Sequence, residues 1–414
     1  MQKSREMASA DPNFLQSIEA ALSSLTSKYA PQGTEPAAVA HQWAHALATG
    51  HELVGGVARK KVTAILKTNG LFKSEKAFRE NLYSSIVFAP PHPATFTFID
   101  LFAGIGGFRQ ALQKLGGYCA FSSEWDRGAQ KTYLANYGEL PFGDLTEFTR
   151  EGTTKAQIKK WIPPHDILAA GFPCQPFSHA GVSARVAVGK QHGFACKTQG
   201  TLFFDIMQIV AARKPKVLFL ENVRNIERHD KGETFRVIRE SIDELGYDFE
   251  YDIIDSSTLV PQRRKRCYMV CFQKKLGVEF EFPRLEGKPR ALASILEPSP
   301  DPSYTISDRL WLGHQNRSAR NLSRGTGFTA FTADLSKPSN TLVARYGKDG
   351  KECLIPQPAK NPRFLTPREC ARLQGYPEEF VLPASRTPAY KQFGNSVAVP
   401  VVSLISAKVV EALG

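Results

Sequence analysis

"FIDLFAGIGGF", residues 98–108, reads as an apolar strand that runs into a glycine-rich turn and then a helix. Small residues in that place let a ligand approach the backbone and the free amides of a helix N-terminus. A dinucleotide fingerprint counted from Gly104 and Gly106 needs a third glycine at 109, where the chain has Arg109, so nicotinamide binding by a dehydrogenase is disfavoured. Outward from this stretch, "FTFIDLF" (96–102), "YCAFSSE" (118–124), "DILAAG" (166–171), "KVLFLEN" (216–222) and "FEYDIID" (249–255) are short apolar runs bounded by turn residues, with helical stretches between them. That alternation predicts an α/β fold around a parallel sheet. In such sheets ligands collect beyond the carboxyl ends of the strands, and the motifs below lie there.

The chain has 414 residues, and Lys plus Arg at 53 against Asp plus Glu at 40 give a net charge of +13, which favours a polyanionic partner. Its seven cysteines are odd in number and scattered, and the start "MQKSREMASADP" has no apolar signal core; a reducing cytosol is expected. No apolar run approaches the roughly 20 residues that cross a bilayer, so no membrane role is expected. Residues 1–93 read as a helical extension, from "PNFLQSIEAALSSL", "EPAAVAHQWAHALATG" and the basic "ARKKVTAILK", with the proline-rich "APPHPA" (89–94) as a linker. Residues 94–282 hold the sheet. After "CYMVCF" (267–272) the pattern dissolves, and residues 283–362 carry twelve Lys and Arg against seven Asp and Glu; they read as a smaller, irregular, basic domain. Regularity returns over 363–414 with a capped helix in "TPRECARLQGYP" (366–377) and a last apolar helix from about 397.

Candidate site residues fall at the strand ends. In "EWD" (124–126) the Glu124 carboxylate suits two ribose hydroxyls and the Trp125 indole suits an adenine face; alone, Trp125 reads equally well as core. Asp144, at the end of a further expected strand, can accept from an adenine amino group or cap a helix. With no Lys or Arg where a phosphate loop needs one, these residues point to an adenosine without phosphates. Cys174 lies in "AGFPCQPFSHAG" (170–181), held between Pro173 and Pro176 on a turn after an apolar strand, where a thiol is poised for nucleophilic work. Cys119, Cys267, Cys271, Cys353 and Cys370 read as buried small apolar groups, and no metal site is expected. Glu221 in "LENV" can donate a proton if burial raises its pKa, and in "PQRRKR" (261–266) alternation aims Arg264 and Arg266 to one side.

Taken in order, "DLFAGIGGF", "GFPCQPFS", "ENV", "QRRKR", "RECARLQGYP" and "GNSVAVPV" resemble the motifs of DNA (cytosine-5) methyltransferases from about residue 96 to the C-terminus. "HGFACKTQGTLFFD" (192–205) and "TLVARYGKDGKECLI" (341–355) are similar to the bacterial Dcm-like subgroup. The resemblance implies a Rossmann-like methyltransferase domain that uses S-adenosylmethionine, with 283–362 as target-recognition domain. It implies that Cys174 adds to carbon 6 of a flipped cytosine, that Glu221 engages ring nitrogen 3, that Arg266 meets the cytosine O2, and that Arg264 supports the same pocket. By the same match Phe102, Gly104, Gly106, Glu124, Trp125, Asp144, Pro173, Asn395 and Val397 line the cofactor site, and Gln262, Thr341, Leu342, Arg345 and Lys348 face DNA. Arg317, Arg320, Arg324 and Lys351 are further candidates for phosphates, and Arg345 for a guanine edge.

The implied substrate is double-stranded DNA at the inner cytosine of a CC-x-GG type site. The implied setting is a monomer in the bacterial cytoplasm at the nucleoid, with a separate cognate restriction endonuclease as the further partner. Residues 179–200, with four glycines, are expected to form a loop that closes over the flipped base. Two other readings stand: methylation of transfer RNA by a related fold, and a DNA-binding regulator built on the extension.

Overall fold

The computed structural model describes residues 13–173, 202–325 and 332–414; Cys174 and the expected loop at 179–200 lie outside them. Four helices come first: α1 (Phe14–Tyr29), α2 (Pro36–Thr49), α3 (Arg59–Thr68) and α4 (Glu75–Tyr83). The sheet follows as β1 (Phe96–Leu101), β2 (Gly117–Ser123), β3 (Ile167–Gly171), β4 (Val217–Val223), β5 (Tyr247–Asp255) and β6 (Lys265–Gln273), in the spatial order β2-β1-β3-β4-β6-β5. Strands β1 to β4 are mutually parallel as expected, but β6 runs antiparallel to both neighbours. The few residues between β5 and β6 are too short for the crossover of a dozen or more that parallel pairing needs. This reversal brings the start of β6, with Arg264 and Arg266, to the rim where β1, β3 and β4 end.

Helices α5 (Gly107–Lys114), α6 (Arg127–Tyr137), α7 (Lys155–Trp161), α8 (Leu202–Arg213) and α9 (Glu233–Glu244) flank the sheet. The strand expected before Asp144 is a single bridge between Ser123 and Phe142. Asp144 instead caps a short 3-10 turn by accepting from the Thr146 amide at 3.0 Å. Arg109, the residue that breaks the dinucleotide fingerprint, is fully buried; it donates to Glu139 at 2.9 Å and to the Tyr133 hydroxyl at 3.0 Å. Removing one partner of such a pair leaves an uncompensated buried charge, at a cost of about 3–5 kcal/mol.

The extension covers the open edge of β2. Residues 38–48 of α2 are all buried, the Gln42 amide reaches the Ala120 carbonyl at 3.5 Å, and the His51 ring stacks on Tyr118 with centroids 4.0 Å apart. His45 donates from Nε2 to the Gly138 carbonyl at 2.9 Å, and burial pulls its pKa down to about 4, so it sits neutral in the seam. Ile18, Leu22 and Trp43 share one core with Leu101, Phe121 and Leu168. The prolines at 89–94 therefore do not separate two independent cores, and Gln113 ties this stretch down through the Phe88 and Ala89 carbonyls. At the opposite edge β5 presents the exposed Asp248, Glu250 and Asp252, charges that discourage pairing with another chain.

The basic span is more regular than its sequence suggests. It contains α10 (Asp308–Ser323), capped by the Ser307 hydroxyl, α11 (Tyr346–Asp349) and a hairpin of β7 (Ile355–Gln357) and β8 (Lys360–Arg363). Helix α10 buries His314 and Ser318 and otherwise lies largely in solvent, so it carries little apolar periodicity to read. Then come α12 (Pro367–Gln374), with the Thr366–Glu369 capping box that the sequence predicts, α13 (Arg386–Asn395) and α14 (Val399–Leu413). Leu292, Ile295, Leu342 and Tyr346 of the basic span share a core with Leu365, Leu373 and Phe393 of these helices. Residues 386–413 are long and apolar enough to cross a membrane by composition alone. Ser396–Ala398 divide them, and Val402, Ile405 and Val409 lie in one core with Phe98 and Phe219.

Candidate active site

A cavity of about 700 Å³ opens along the carboxyl rim of β1 to β4 and is closed from the far side by the α13–α14 turn. At one end the turn after β1 and the turn after β2 are laced together by Glu124. Its Oε2 accepts from the Gly104 amide at 2.8 Å and its Oε1 from the Asp126 amide at 2.7 Å. Burial raises the Glu124 pKa and these backbone donors oppose the rise. Each oxygen keeps lone pairs for a ligand hydroxyl. Phe102 holds the rim with φ 55°, a left-handed conformation that costs a non-glycine residue about 1–3 kcal/mol and clusters at functional sites. Trp125 is 77% exposed and lines the cavity, so it is not core.

Asp144, Pro173 and Asn395 line the same space as Phe102, Gly104, Glu124 and Trp125. Two other expected cofactor residues stand behind it. Gly106 (φ 84°) is needed because a Cβ there would lie 2.4 Å from the Tyr137 ring. Val397 is buried against Gly107, where an added Cβ would meet it at 2.6 Å. The lining also includes residues that sequence motifs did not single out. Asp205, at the start of α8, accepts from the Thr149 hydroxyl at 2.5 Å, and burial lifts its pKa to about 6. Lys391 bonds Asp126 across the mouth at 2.5 Å, joining residues 265 apart that no local pattern links.

At the other end stands an ion pair. Glu221, at the end of β4, meets Arg266 at 3.1 Å; burial raises the glutamate's pKa while Arg266 and Arg264 pull against the rise. Arg264 is 3% exposed and donates to the carbonyls of Leu342 at 3.0 Å, Gly394 at 3.3 Å and Ser396 at 2.5 Å. Burial and the adjacent Arg266 lower its pKa to about 9, which leaves it charged at neutral pH. The pairing of Gly171 with Glu221, and the bond from the Asn222 amide to the Phe172 carbonyl at 2.9 Å, fix Gly171 and Phe172 beside this pair.

Two residues expected at the DNA surface lie inside the molecule. Gln262 is fully buried, donating to the Leu373 carbonyl at 3.1 Å and accepting from the Leu342 amide at 2.7 Å. Leu342 is fully buried as well, and the neighbouring Thr341 hydroxyl donates to the Arg263 carbonyl at 2.6 Å. Gln262 and Leu342 thus clamp the basic span to the strand that carries the arginines. Arg345 and Lys348 are exposed. Cys119, Cys267, Cys271, Cys353 and Cys370 are free and buried, as their sequence context predicts.

One cavity thus holds an exposed indole and a backbone-bonded carboxylate at one end and a carboxyl–guanidinium pair at the other. Residues 96–411 match the model of the C-5 cytosine-specific DNA methylases. The chain belongs to that family. This methylase is 46% identical over 335 residues to the type II methyltransferase M.SsoII of Shigella sonnei, covering 78% of the chain and 83% of that protein. It is 41% identical over 366 residues to the DNA-cytosine methyltransferase of Escherichia coli K12, covering 76% and 77% respectively. The fold is like that of the S. pombe Dnmt2 methyltransferase, with a TM-score of 0.59 at 18% identity over 77% of this chain and 99% of that one. The chain is therefore a DNA (cytosine-5)-methyltransferase, in a family that uses S-adenosylmethionine. The matched region begins at residue 96, so the extension lies outside the family model.

Proposed function

We propose that this methylase modifies the inner cytosine of a CC-x-GG type site in double-stranded DNA through a covalent adduct on Cys174. The observation that carries the reading is the Glu221–Arg266 pair at 3.1 Å beside the end of β3, three residues before that cysteine in the chain. Carbon 5 of cytosine is a weak nucleophile. The Cys174 thiolate adds to carbon 6, opening the 5,6 double bond, while Glu221 delivers its proton to ring nitrogen 3. Arg266 donates to the cytosine O2 and Arg264 braces it from behind. Carbon 5 then carries the electron pair that forms the new carbon–carbon bond. Loss of the carbon 5 proton to solvent restores the double bond and expels the thiolate, and the nitrogen 3 proton returns to Glu221. The target base reaches this pocket by leaving the duplex stack, at a cost of a few kcal/mol.

When bound, S-adenosylmethionine supplies the electrophilic methyl group. Glu124 suits its ribose and Trp125 its adenine face, with Asp144 at the adenine amino group; the glycine turn offers no cation for a phosphate. The enzyme works in the bacterial cytoplasm, and its relatives' type II names suit a paired restriction endonuclease.

The test uses duplexes that carry 5-fluorodeoxycytidine at the target position, where fluorine blocks the final elimination. Wild-type protein with cofactor is expected to form a stable protein–DNA adduct, located at Cys174 by peptide mapping, and Cys174→Ser none. Turnover without an adduct overturns the covalent step. Bisulfite sequencing of plasmid from expressing cells reads the site; methylation outside CC-x-GG overturns the assigned sequence.

A further inference from the structure

Glu352 is a buried carboxylate with no evident role in the chemistry just described. Its side chain is 9% exposed, its Oε1 lies 3.6 Å from the Arg345 Nε, and its Oε2 is buried without a hydrogen-bond partner. Arg345 is its opposite, 62% exposed and paired among the described residues with Glu352 alone. The neighbours of both residues are fixed to each other, because the Tyr346 hydroxyl donates to the Cys353 carbonyl at 2.6 Å and accepts from the Leu365 amide at 2.8 Å. On the other side, the Val343–Ala344 backbone packs so closely on Gly394 that a Cβ there would lie 2.3 Å from it. Leu342 is held by Arg264 and Gln262. Arg345 thus projects from a frame that shares its fastening, through Leu342, with the Arg264 end of the cavity.

We propose that Glu352 is a positioning residue for sequence recognition, gripping Arg345 by its Nε side so that the two terminal nitrogens stay free to donate to the O6 and N7 of one guanine in the target. A guanidinium carries five donors in a rigid fork, and a carboxylate at Nε leaves the outer pair unspent. Guanine is the base that offers two acceptors side by side in the major groove. An exposed arginine without such a brace rotates freely and loses discrimination on ordering. The inference rests on the reading of the chain as a sequence-specific methylase of duplex DNA.

The test compares a parent duplex bearing the enzyme's own site with duplexes in which each guanine in turn is replaced by 7-deazaguanine, which lacks the N7 acceptor. For wild type, one replacement is expected to lower kcat/KM by about 10-fold or more. Arg345→Lys, which keeps the charge without the fork, and Glu352→Gln, which keeps the shape without the ion pair, should erase most of that penalty. Both should leave the cofactor Kd unchanged. A purely structural role for Glu352 would slow every duplex equally and leave the penalty intact, which overturns the proposal; so does a wild type indifferent to every replacement. A wild type inactive on the parent duplex itself overturns the methylase reading and this inference with it.

Discussion

The two ends of the cavity differ in how they hold their charges. At the end proposed for the pyrimidine Glu221 and Arg264 are buried, and the arginine's two terminal nitrogens donate to the carbonyls of Leu342, Gly394 and Ser396. At the end proposed for the adenosine Trp125 stands 77% exposed and the Lys391–Asp126 pair spans an open mouth. One end fixes groups in a water-poor setting where electrostatic interactions are strong and protonation states shift. The other offers faces and hydroxyl acceptors that a ligand completes. Bond making needs the first environment and reversible exchange of cofactor for product needs the second.

The sharpest way to break this contrast is Glu221→Gln. With the proton donor gone, single-turnover methyl transfer should fall by about 10²–10⁴-fold while the cofactor Kd, measured by calorimetry, stays put; a change in Kd without loss of rate would mean that the two ends are not separate. The pH profile extends the same test. Burial raises the Glu221 pKa, so its acid form persists to higher pH than for a free glutamate and is lost as pH rises through that value. Methyl transfer by wild type should decline on the alkaline side, Glu221→Gln should lack that limb, and cofactor affinity should not follow either curve.

Smaller effects belong to the open end. Trp125→Ala should weaken cofactor binding by about 5- to 100-fold, the span for loss of a base–aromatic stack, with kcat at saturating cofactor retained. A fall in kcat instead would give the indole a part in the chemistry. Asp126→Asn keeps an oxygen to cap α6 through the Ala129 amide and loses the Lys391 ion pair. An exposed pair is worth about 0.2–1 kcal/mol, so cofactor Kd should rise no more than about 5-fold and the difference should vanish in high salt.

Much of this was legible in the chain. The strands announce themselves as apolar runs, and the site follows from the rule that ligands gather at their carboxyl ends. Glu221, Arg266, Glu124 and Trp125 stand in short local motifs, and the cavity collects all four. What escaped is what depends on assembly. The reversal of β6 is a property of pairing partners rather than of its own residues. Gln262 and Leu342 look like contact residues in a basic stretch until the packing of 339–342 on the strand start buries them. Lys391 carries no signal at all, since its partner lies at the far side of the sequence. The extension's α2 reads as an ordinary helix, because one chain segment cannot reveal that every face of it will be covered.

That covering sets an order of events during synthesis. The ribosome releases α1 to α4 first, and Trp43 can lie on Tyr29 at once, yet the Gln42 side of α2 and the His51 ring have nothing to lie on until β2 has emerged and joined β1. Nascent chains halted near the proline stretch would display these bare surfaces to chaperones and proteases, and a transplant of the helices onto another protein would carry the same exposed wall.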